Sequence, residues 1–120
     1  MEKKFLIMVT HSFDAPERAG AALAIANTAV ASDMDVVVFA INEGALLVKK
    51  GFAETITDQK AFPAIKTLLD TLVEAGQKFY VCTACANQFG IAKEDLLPNT
   101  EMAGPQTILD LAMEREVMSF

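Results

Sequence analysis

Three uninterrupted apolar runs constrain the fold of this chain more than any other feature of its sequence. They are KFLIMVT at residues 4–10, DVVVFAI at 35–41 and KFYVCT at 78–83. Their β-branched and aromatic residues do not alternate with polar ones, a pattern typical of strands covered on both faces in a parallel sheet. We therefore predict that the three runs are buried parallel strands.

Longer helical patterns separate the first two runs from each other and from the third. Residues 15–31 are rich in alanine, with Pro16 in the first turn and Asp14 before it as the expected N-cap. Residues 44–50 predict a short helix that ends at Gly51. Residues 61–75 predict a longer, amphipathic helix that Gly76 ends. Its apolar face comprises Phe62, Ile65, Leu69 and Leu72.

The last part of the chain repeats the alternation. Residues 105–115 predict a helix with Ile108, Leu111 and Ala112 on one side, and VMSF at 117–120 predicts a short final strand. A brief strand over 101–103 also fits. Strands and helices alternating at this spacing favour an α/β sandwich with a parallel sheet and right-handed crossovers. Ligands of such sheets bind at the carboxyl ends of the strands, here residues 10–12, 41–44 and 82–85.

Size and composition limit the classes of protein to which this chain can belong. With 120 residues we expect a single domain over residues 1–120. Hydrophobic residues make up 52% of the chain, and the mean hydropathy is +0.32. Both values are high for a small domain, so we expect apolar surface to meet another subunit. Sixteen acidic and ten basic residues give a net charge of −6, which disfavours nucleic acid because phosphates are bound through Lys and Arg.

The distribution of apolar residues also bears on the compartment. The first apolar stretch has five residues, Phe5 to Val9, fewer than the roughly seven to fifteen of a signal peptide. No stretch reaches the roughly twenty residues of a membrane span. We therefore expect a cytoplasmic protein without a membrane partner, in which cysteines stay reduced unless they take part in chemistry.

The chain has two cysteines, Cys82 and Cys85. We expect Cys82 at the carboxyl end of the third strand, just before a helix over 84–89. Backbone N–H groups of that helix would point toward its sulfur and favour the thiolate. A CxxC pair in an intracellular protein also indicates redox chemistry. The alternative, that both cysteines are packed core residues, stays open.

Other kinds of site have less support. Structural zinc needs about four Cys or His ligands, whereas the chain has two cysteines and one histidine, so we expect no metal. It has neither a GxxxxGK[ST] loop nor a GxGxxG motif, and we expect no organic cofactor.

The single histidine, His11, follows the first strand. It could face the same crevice as Cys82 and serve as an acid or base, or it could be a turn or surface residue. Asn42 is expected to cap the short helix and Glu43 to complement its dipole. Phe13 and Phe89 are expected to pack.

The ordered set of features resembles the DsrE/DsrF-like family, small sulfur-relay proteins that include the TusD-type subunits. The resemblance covers almost the whole chain, through residues 9–51, 78–91 and 103–120. Its strongest part is a cysteine at the end of the third strand followed eight residues later by glycine, here Cys82 and Gly90. The segment from Gly44 to KKG and the closing TILDLAMEREVMSF add to it.

The resemblance implies a three-layer α/β/α sandwich with a mainly parallel five-stranded sheet, assembled as a homotrimer or homohexamer. It also implies that Cys82 accepts sulfane sulfur as a persulfide and passes it on. Cys85 stands where TusD-type members have no cysteine, so no role for it follows from the family. Phe89 stands where the family often has arginine, which leaves an anion-binding role of the helix without support.

Our leading hypothesis is a cytoplasmic sulfur carrier or sulfurtransferase. Cys82 would take the outer sulfur of a persulfide donor protein and pass it to the thiolate of an acceptor protein. Cys85 would release sulfide by forming a disulfide with Cys82, and His11 would assist protonation. The alternatives are an oligomeric binding or scaffold protein with packed cysteines, and a dithiol redox protein that uses Cys82 and Cys85.

Overall fold

The computed structural model describes residues 3–120, which form a five-stranded sheet and four α-helices. The strands are β1 (Lys4–Val9), β2 (Asp35–Ala40), β3 (Phe79–Cys82), β4 (Thr100–Ala103) and β5 (Glu116–Ser119). The α-helices are α1 (Pro16–Ala31), α2 (Ile65–Glu74), α3 (Thr83–Gln88) and α4 (Pro105–Glu114). Three 3₁₀ segments, Asn42–Val48, Ala53–Thr55 and Lys93–Asp95, complete the order.

The sheet has the strand order β4-β3-β2-β1-β5, and each of its four pairings is parallel. In register, Val9 lies opposite Ala40 and Ala40 opposite Val81. The carboxyl ends of β1, β2 and β3 therefore lie side by side at one edge. The predicted parallel α/β architecture is confirmed, because its three apolar runs are the three central strands.

Side chains alternate between two cores, one on each face of the sheet. Ile7, Val38 and Phe79 pack with α1 and α2 on one face, in the larger core. Leu6, Phe39 and Cys82 face the other side, where Ile108 and Leu111 of α4 pack against them. The resulting three layers agree with the expected α/β/α sandwich.

The face of the sheet on which α4 packs is only partly shielded from solvent. None of the ten residues of α4 is fully buried, in contrast to the six buried residues of α1. Leu109 is 60% exposed and Met113 is 85% exposed, and Val117 of the adjacent β5 is 50% exposed. These three side chains form what we call the α4 patch, an apolar surface of a kind that often meets another protein.

Two predicted helices differ from the observed ones. α2 begins at Ile65 and not at residue 61, because Pro63 disfavours helical backbone at the residue before it. Phe62 consequently lies outside the helix and is 37% exposed, and its N–H bonds to the Gln59 side chain. The short helix predicted at 44–50 is a 3₁₀ segment with buried residues from Gly44 to Val48. Because all five of these residues are buried, the segment has no polar side, and an amphipathic α-helix needs one.

Asp14 does not cap α1, which begins after Ala15 without a side-chain cap. Within residues 3–120, no helix combines the length and apolarity that a membrane crossing requires.

Candidate functional site

Cys82 is the last residue of β3 and directly precedes α3. Its backbone pairs in register with Ala103 of β4. The residue is only 9% exposed and belongs to the core under α4, together with Leu6, Val37 and Phe39. Cys82 occupies the N-cap position of α3, but its side chain makes no capping hydrogen bond. The expected contact between its sulfur and N–H groups of the following helix is therefore not formed.

Cys85 is the third residue of α3 and is half-buried beside Cys82. Both cysteines are free thiols. The backbone N–H of Asn42 donates a hydrogen bond to Cys85 Sγ at 3.1 Å, and Asn42 Oδ1 lies 4.0 Å from the same sulfur. The turn after β2 thus forms its polar contacts with the second cysteine of the pair.

Burial is the largest cause of a raised pKa at Cys85. The hydrogen bond from the Asn42 N–H opposes this effect, while a side-chain hydrogen bond with Cys82 and the negative charges of Cys82 and Glu43 reinforce it. Cys85 also packs against the core cluster that contains Cys82. Because the pKa of Cys85 is raised, this thiol keeps its proton at neutral pH, and the acceptor nearest to it is the Asn42 amide oxygen at 4.0 Å.

Asn42 is a site residue that the sequence did not reveal as one. Ile41, not Asn42, occupies the cap position of the 3₁₀ segment, and no side-chain cap bond forms. Asn42 instead adopts a left-handed backbone conformation with φ of 56°. Asparagine tolerates this region better than most residues, so an Asn directly after a buried strand was the available signal.

Two hydrogen bonds fix the turn around Asn42. The Ile41 N–H donates to Val9 O at 3.0 Å, and the hydroxyl of Ser12 donates to Glu43 O at 2.7 Å. Ser12 is fully buried, so this second bond is shielded from water. The ends of β1 and β2 are in this way linked into one rigid support for Cys85.

His11 pairs with Asp14. Its Nδ1 lies 2.6 Å from Asp14 Oδ2, and Asp14 Oδ1 accepts the Ser12 N–H at 2.9 Å. Burial tends to raise the pKa of Asp14, but the hydrogen bonds from Ser12 and His11 together lower it. These contacts account for the position of both side chains within the loop after β1.

The pairing leaves His11 apart from the cysteines. β2 lies between β1 and β3, so the strand ends that lead to His11 and Cys82 are two strand spacings, roughly 10 Å, apart. Among residues 3–120, no hydrogen bond joins His11 to Cys82 or Cys85. The structure thus packs Cys82 and Cys85 in the same region, with Asn42 hydrogen-bonded to Cys85, and places His11 in a separate pair with Asp14.

The two phenylalanines near the site differ. Phe89 packs against the larger core, as expected. Phe13 is 55% exposed and meets Phe52 edge-on, with ring centroids 6.3 Å apart. An apolar cavity of about 310 Å³ lies elsewhere, between the C-terminal part of α1 and strands β1 and β5. Neither cysteine lines it. In the part of the chain that the structure describes, no three His, Cys, Asp or Glu side chains are grouped as metal ligands.

Comparison with known proteins places this geometry in a family. Residues 3–120 match the DsrE/DsrF-like family. Uncharacterized protein MJ0760 of Methanocaldococcus jannaschii is 30% identical over 110 residues, which cover 92% of this chain and 39% of that protein. The chain thus spans well under half the length of this relative. Uncharacterized protein MK0008 of Methanopyrus kandleri is 29% identical over 104 residues, or 87% of this chain and 82% of that protein.

Solved structures show the same fold at low identity. The ychN protein from E. coli superposes with a TM-score of 0.79 at 16% identity, with all of both chains covered. Protein MTH1491 from Methanobacterium thermoautotrophicum gives a TM-score of 0.67 at 15% identity, with 99% of this chain and 100% of that chain covered. The match over residues 3–120 identifies the chain as a member of the DsrE/DsrF-like family.

Proposed function

We propose that this protein is a sulfur carrier in which Cys82 holds sulfane sulfur as a persulfide and passes it to a partner thiol. The observation that supports this function most is the position of Cys82 at the carboxyl end of β3, with Cys85 packed against the same core cluster. Membership of the DsrE/DsrF-like family suggests a sulfur-relay role and agrees with it.

The carrier reaction needs two exchanges at the outer sulfur. The Cys82 thiolate attacks the outer sulfur of a donor persulfide, a new S–S bond forms, and the donor leaves as a thiolate. The thiolate of an acceptor then attacks the outer sulfur now on Cys82, and the Cys82 thiolate is restored. No external oxidant or reductant is consumed, because one S–S bond replaces another in each exchange.

The burial of Cys82 restricts the donor. With only 9% of the residue exposed, Cys82 favours a slender group such as a persulfide tail over a bulky one. Cys85 lies beside it and is more exposed, so an incoming sulfur passes next to Cys85. Donor and acceptor are in this proposal thiol-bearing proteins of the cytoplasm, and no metal or organic cofactor takes part.

Assembly into a homotrimer or homohexamer belongs to the same proposal. The α4 patch of Leu109, Met113 and Val117 supports it, because an apolar surface of this kind is normally covered by another protein. Closed rings of identical chains cover such a surface without leaving a free edge. The acidic net charge of −6 gives no attraction to nucleic acid.

Intact mass spectrometry after incubation with a polysulfide tests the carrier function. We expect the wild-type protein and Cys85→Ser to gain 32 Da per sulfur, roughly the mass of one sulfur atom, and Cys82→Ser to gain none. Cys85→Ser is the matched control, since it removes one thiol from the same pair. Equal loading of Cys82→Ser and the wild type would refute the proposal.

A dithiol redox function is the second candidate, and the packing of Cys85 against the core cluster that contains Cys82 specifically favours it. It predicts a reversible intramolecular disulfide in glutathione redox buffers, without any gain of sulfur. A scaffold with inert cysteines predicts instead that neither thiol of the native protein reacts with an alkylating agent.

A further inference from the structure

The apolar cavity of about 310 Å³ between α1 and the strands β1 and β5 is built from the edge of the fold. α1 packs on β1 and β2, while β5 lies on the other side of β1 as an edge strand. The floor of the cavity is formed by Phe5 and Ile7 of β1 with Met118, which lies opposite Ile7 in β5. Ile25 and Ala29 of α1 form its wall.

The lining of this cavity is almost free of polar groups. Among residues 3–120, those that line it include no ionisable side chain, and its polar side chains are Thr28 and Ser32. The Thr28 hydroxyl donates to the Ala24 carbonyl at 2.9 Å, so its proton is already used. Ser32 is exposed and marks the mouth of the cavity, together with Met34. Water inside would find few hydrogen-bond partners, and apolar cavities of this kind stay dry and take up apolar molecules.

Depth and volume limit what can occupy the cavity. Its lining includes the buried residues Ile7 and Ala29, so the space extends below the surface, between the helix and the sheet. A cavity of about 150 Å³ holds one benzene molecule, and about 310 Å³ therefore corresponds to roughly twelve carbon atoms. The flat surface of a protein would leave this space empty, whereas an alkyl chain fills it. The side chains of Met34 and Met118 are flexible and adapt to such a chain.

We propose that the cavity binds an uncharged molecule with a linear aliphatic chain of about eight to ten carbon atoms, its polar end at the mouth beside Ser32. A carboxylate is a poor end group, because none of the Lys and Arg residues in the described part of the chain lines the cavity and Asp33, which follows Ser32, is acidic. The site is separate from Cys82 and Cys85, neither of which lines it, and binding involves no covalent step.

The probe is n-octanol, and octanoate is its charged counterpart with the same number of carbon atoms. The reporters are the methyl groups of isotope-labelled methionine, observed by NMR. Met34 and Met118 line the cavity, whereas Met113 is 85% exposed in the α4 patch and Met102 lies in β4 at the other edge of the sheet. The chain therefore carries its own controls for non-specific binding of the alcohol.

Binding of n-octanol should be saturable and selective. We expect it to shift the Met34 and Met118 signals with a Kd of roughly 0.1–1 mM, which is ordinary for a ligand of about nine heavy atoms. Met113 and Met102 should not follow this saturation curve. Octanoate should bind about four- to fifteenfold more weakly, because its charged end must stay in water and one or two fewer methylene groups are buried.

Two variants close the cavity at different depths. Ala29→Phe places a ring in the cavity from the wall, and Ser32→Phe covers the mouth from an exposed position that the core does not need. Each should weaken n-octanol binding at least about fourfold, the loss expected when one or more methylene groups are no longer buried. Ala31→Phe is the matched control, because Ala31 is exposed on the same helix and does not line this cavity. It should stay within about twofold of the wild type.

The outcomes separate the possible occupants. Saturable shifts of Met34 and Met118 that Ser32→Phe weakens and Ala31→Phe does not would support the site, even if Ala29→Phe failed to fold. The inference is wrong if n-octanol shifts Met113 alone, or if the cavity methionines do not respond up to the solubility limit of the alcohol. Signals of Met34 and Met118 that change with protein concentration and not with n-octanol would overturn it in favour of a second copy of the chain. Octanoate that bound as tightly as n-octanol would refute the restriction to uncharged ligands.

Discussion

Replacing Gly44 with alanine should destabilise the protein strongly, because the new methyl group has no room. Its Cβ would lie 2.1 Å from the carbonyl oxygen of Val9 and 2.7 Å from the carbonyl carbon. Both atoms belong to the backbone of β1, which is fixed by pairing with β2 and β5. Relief requires the segment around Gly44 to move by roughly 1 Å away from the end of β1.

The cost follows from what such a movement breaks. The hydrogen bonds Ile41 to Val9 and Ser12 to Glu43 would lengthen, at about 1 kcal/mol each. Overpacking of a filled core costs about 1–3 kcal/mol more. We therefore expect Gly44→Ala to lower the free energy of unfolding by about 3–5 kcal/mol. For a chain of this size that corresponds to a fall in Tm of about 10–20 °C.

Urea denaturation followed by far-UV circular dichroism measures the change. Gly20→Ala is the matched control, since its nearest contact is the side chain of Phe62, 3.1 Å away, which is partly exposed and can turn aside. Alanine is also the better residue inside a helix, so this variant should stay within about 1 kcal/mol of the wild type. A loss of less than about 1 kcal/mol in Gly44→Ala would refute the close-approach argument.

Three further predictions concern other parts of the molecule. Arg115→Met should lower the free energy of unfolding, measured by urea denaturation, by about 2–4 kcal/mol, because the part-buried Asp35 carboxylate and the Phe5 carbonyl lose their hydrogen-bond donor. The control Lys3→Met, at the exposed Lys3–Glu116 ion pair, should lower it by less than about 0.5 kcal/mol. The pKa of Asp14 is lowered in the fold, so its carboxylate stabilises the protein above the ordinary pKa of a carboxyl group, and this stability is lost as pH falls through the folded pKa. Asp14→Asn should therefore cost about 0.5–1 kcal/mol at pH 7, and in acid denaturation curves the difference from the wild type should shrink as pH falls below the ordinary carboxyl pKa. Leu109→Glu with Met113→Glu should shift sedimentation toward a 12.9 kDa monomer without loss of helix content, and a wild-type protein that already sediments as that monomer would contradict the proposed assembly.

The sheet could be predicted because its signal is local and redundant. Each central strand is a run of β-branched and aromatic residues, and a run such as DVVVFAI has no stable alternative to burial on both faces. The residues at which helices begin and end could be predicted less well. The start of α2 depends on how Pro63 and the Gln59 side chain arrange the preceding turn, and a hydrophobic pattern that includes Phe62 does not report this.

The candidate site could be predicted only in part. The position of Cys82 at a strand end follows from the strand pattern, and Cys85 follows from the spacing of the pair. Asn42 could not be assigned, because its contact with Cys85 joins residues 43 positions apart and depends on a backbone torsion. Nor could the sequence show that His11 pairs with Asp14, since both residues lie in a loop whose course is determined by the buried Ser12.

The pairing of β5 with β1 has a consequence for the order of folding. Phe5 lies opposite Glu116, and the Phe120 carbonyl accepts a hydrogen bond from the Thr10 N–H at 2.7 Å, so β1 is completed on one side by β5, which is far from it along the chain. Closing so long a loop is entropically slow, while β1, α1 and β2 can assemble from adjacent segments. A chain still being synthesised therefore exposes one edge of β1 until β5 is free to pair with it. Amide protons of β5, most of whose residues are exposed, should exchange with solvent well before those of β2 at the centre of the sheet.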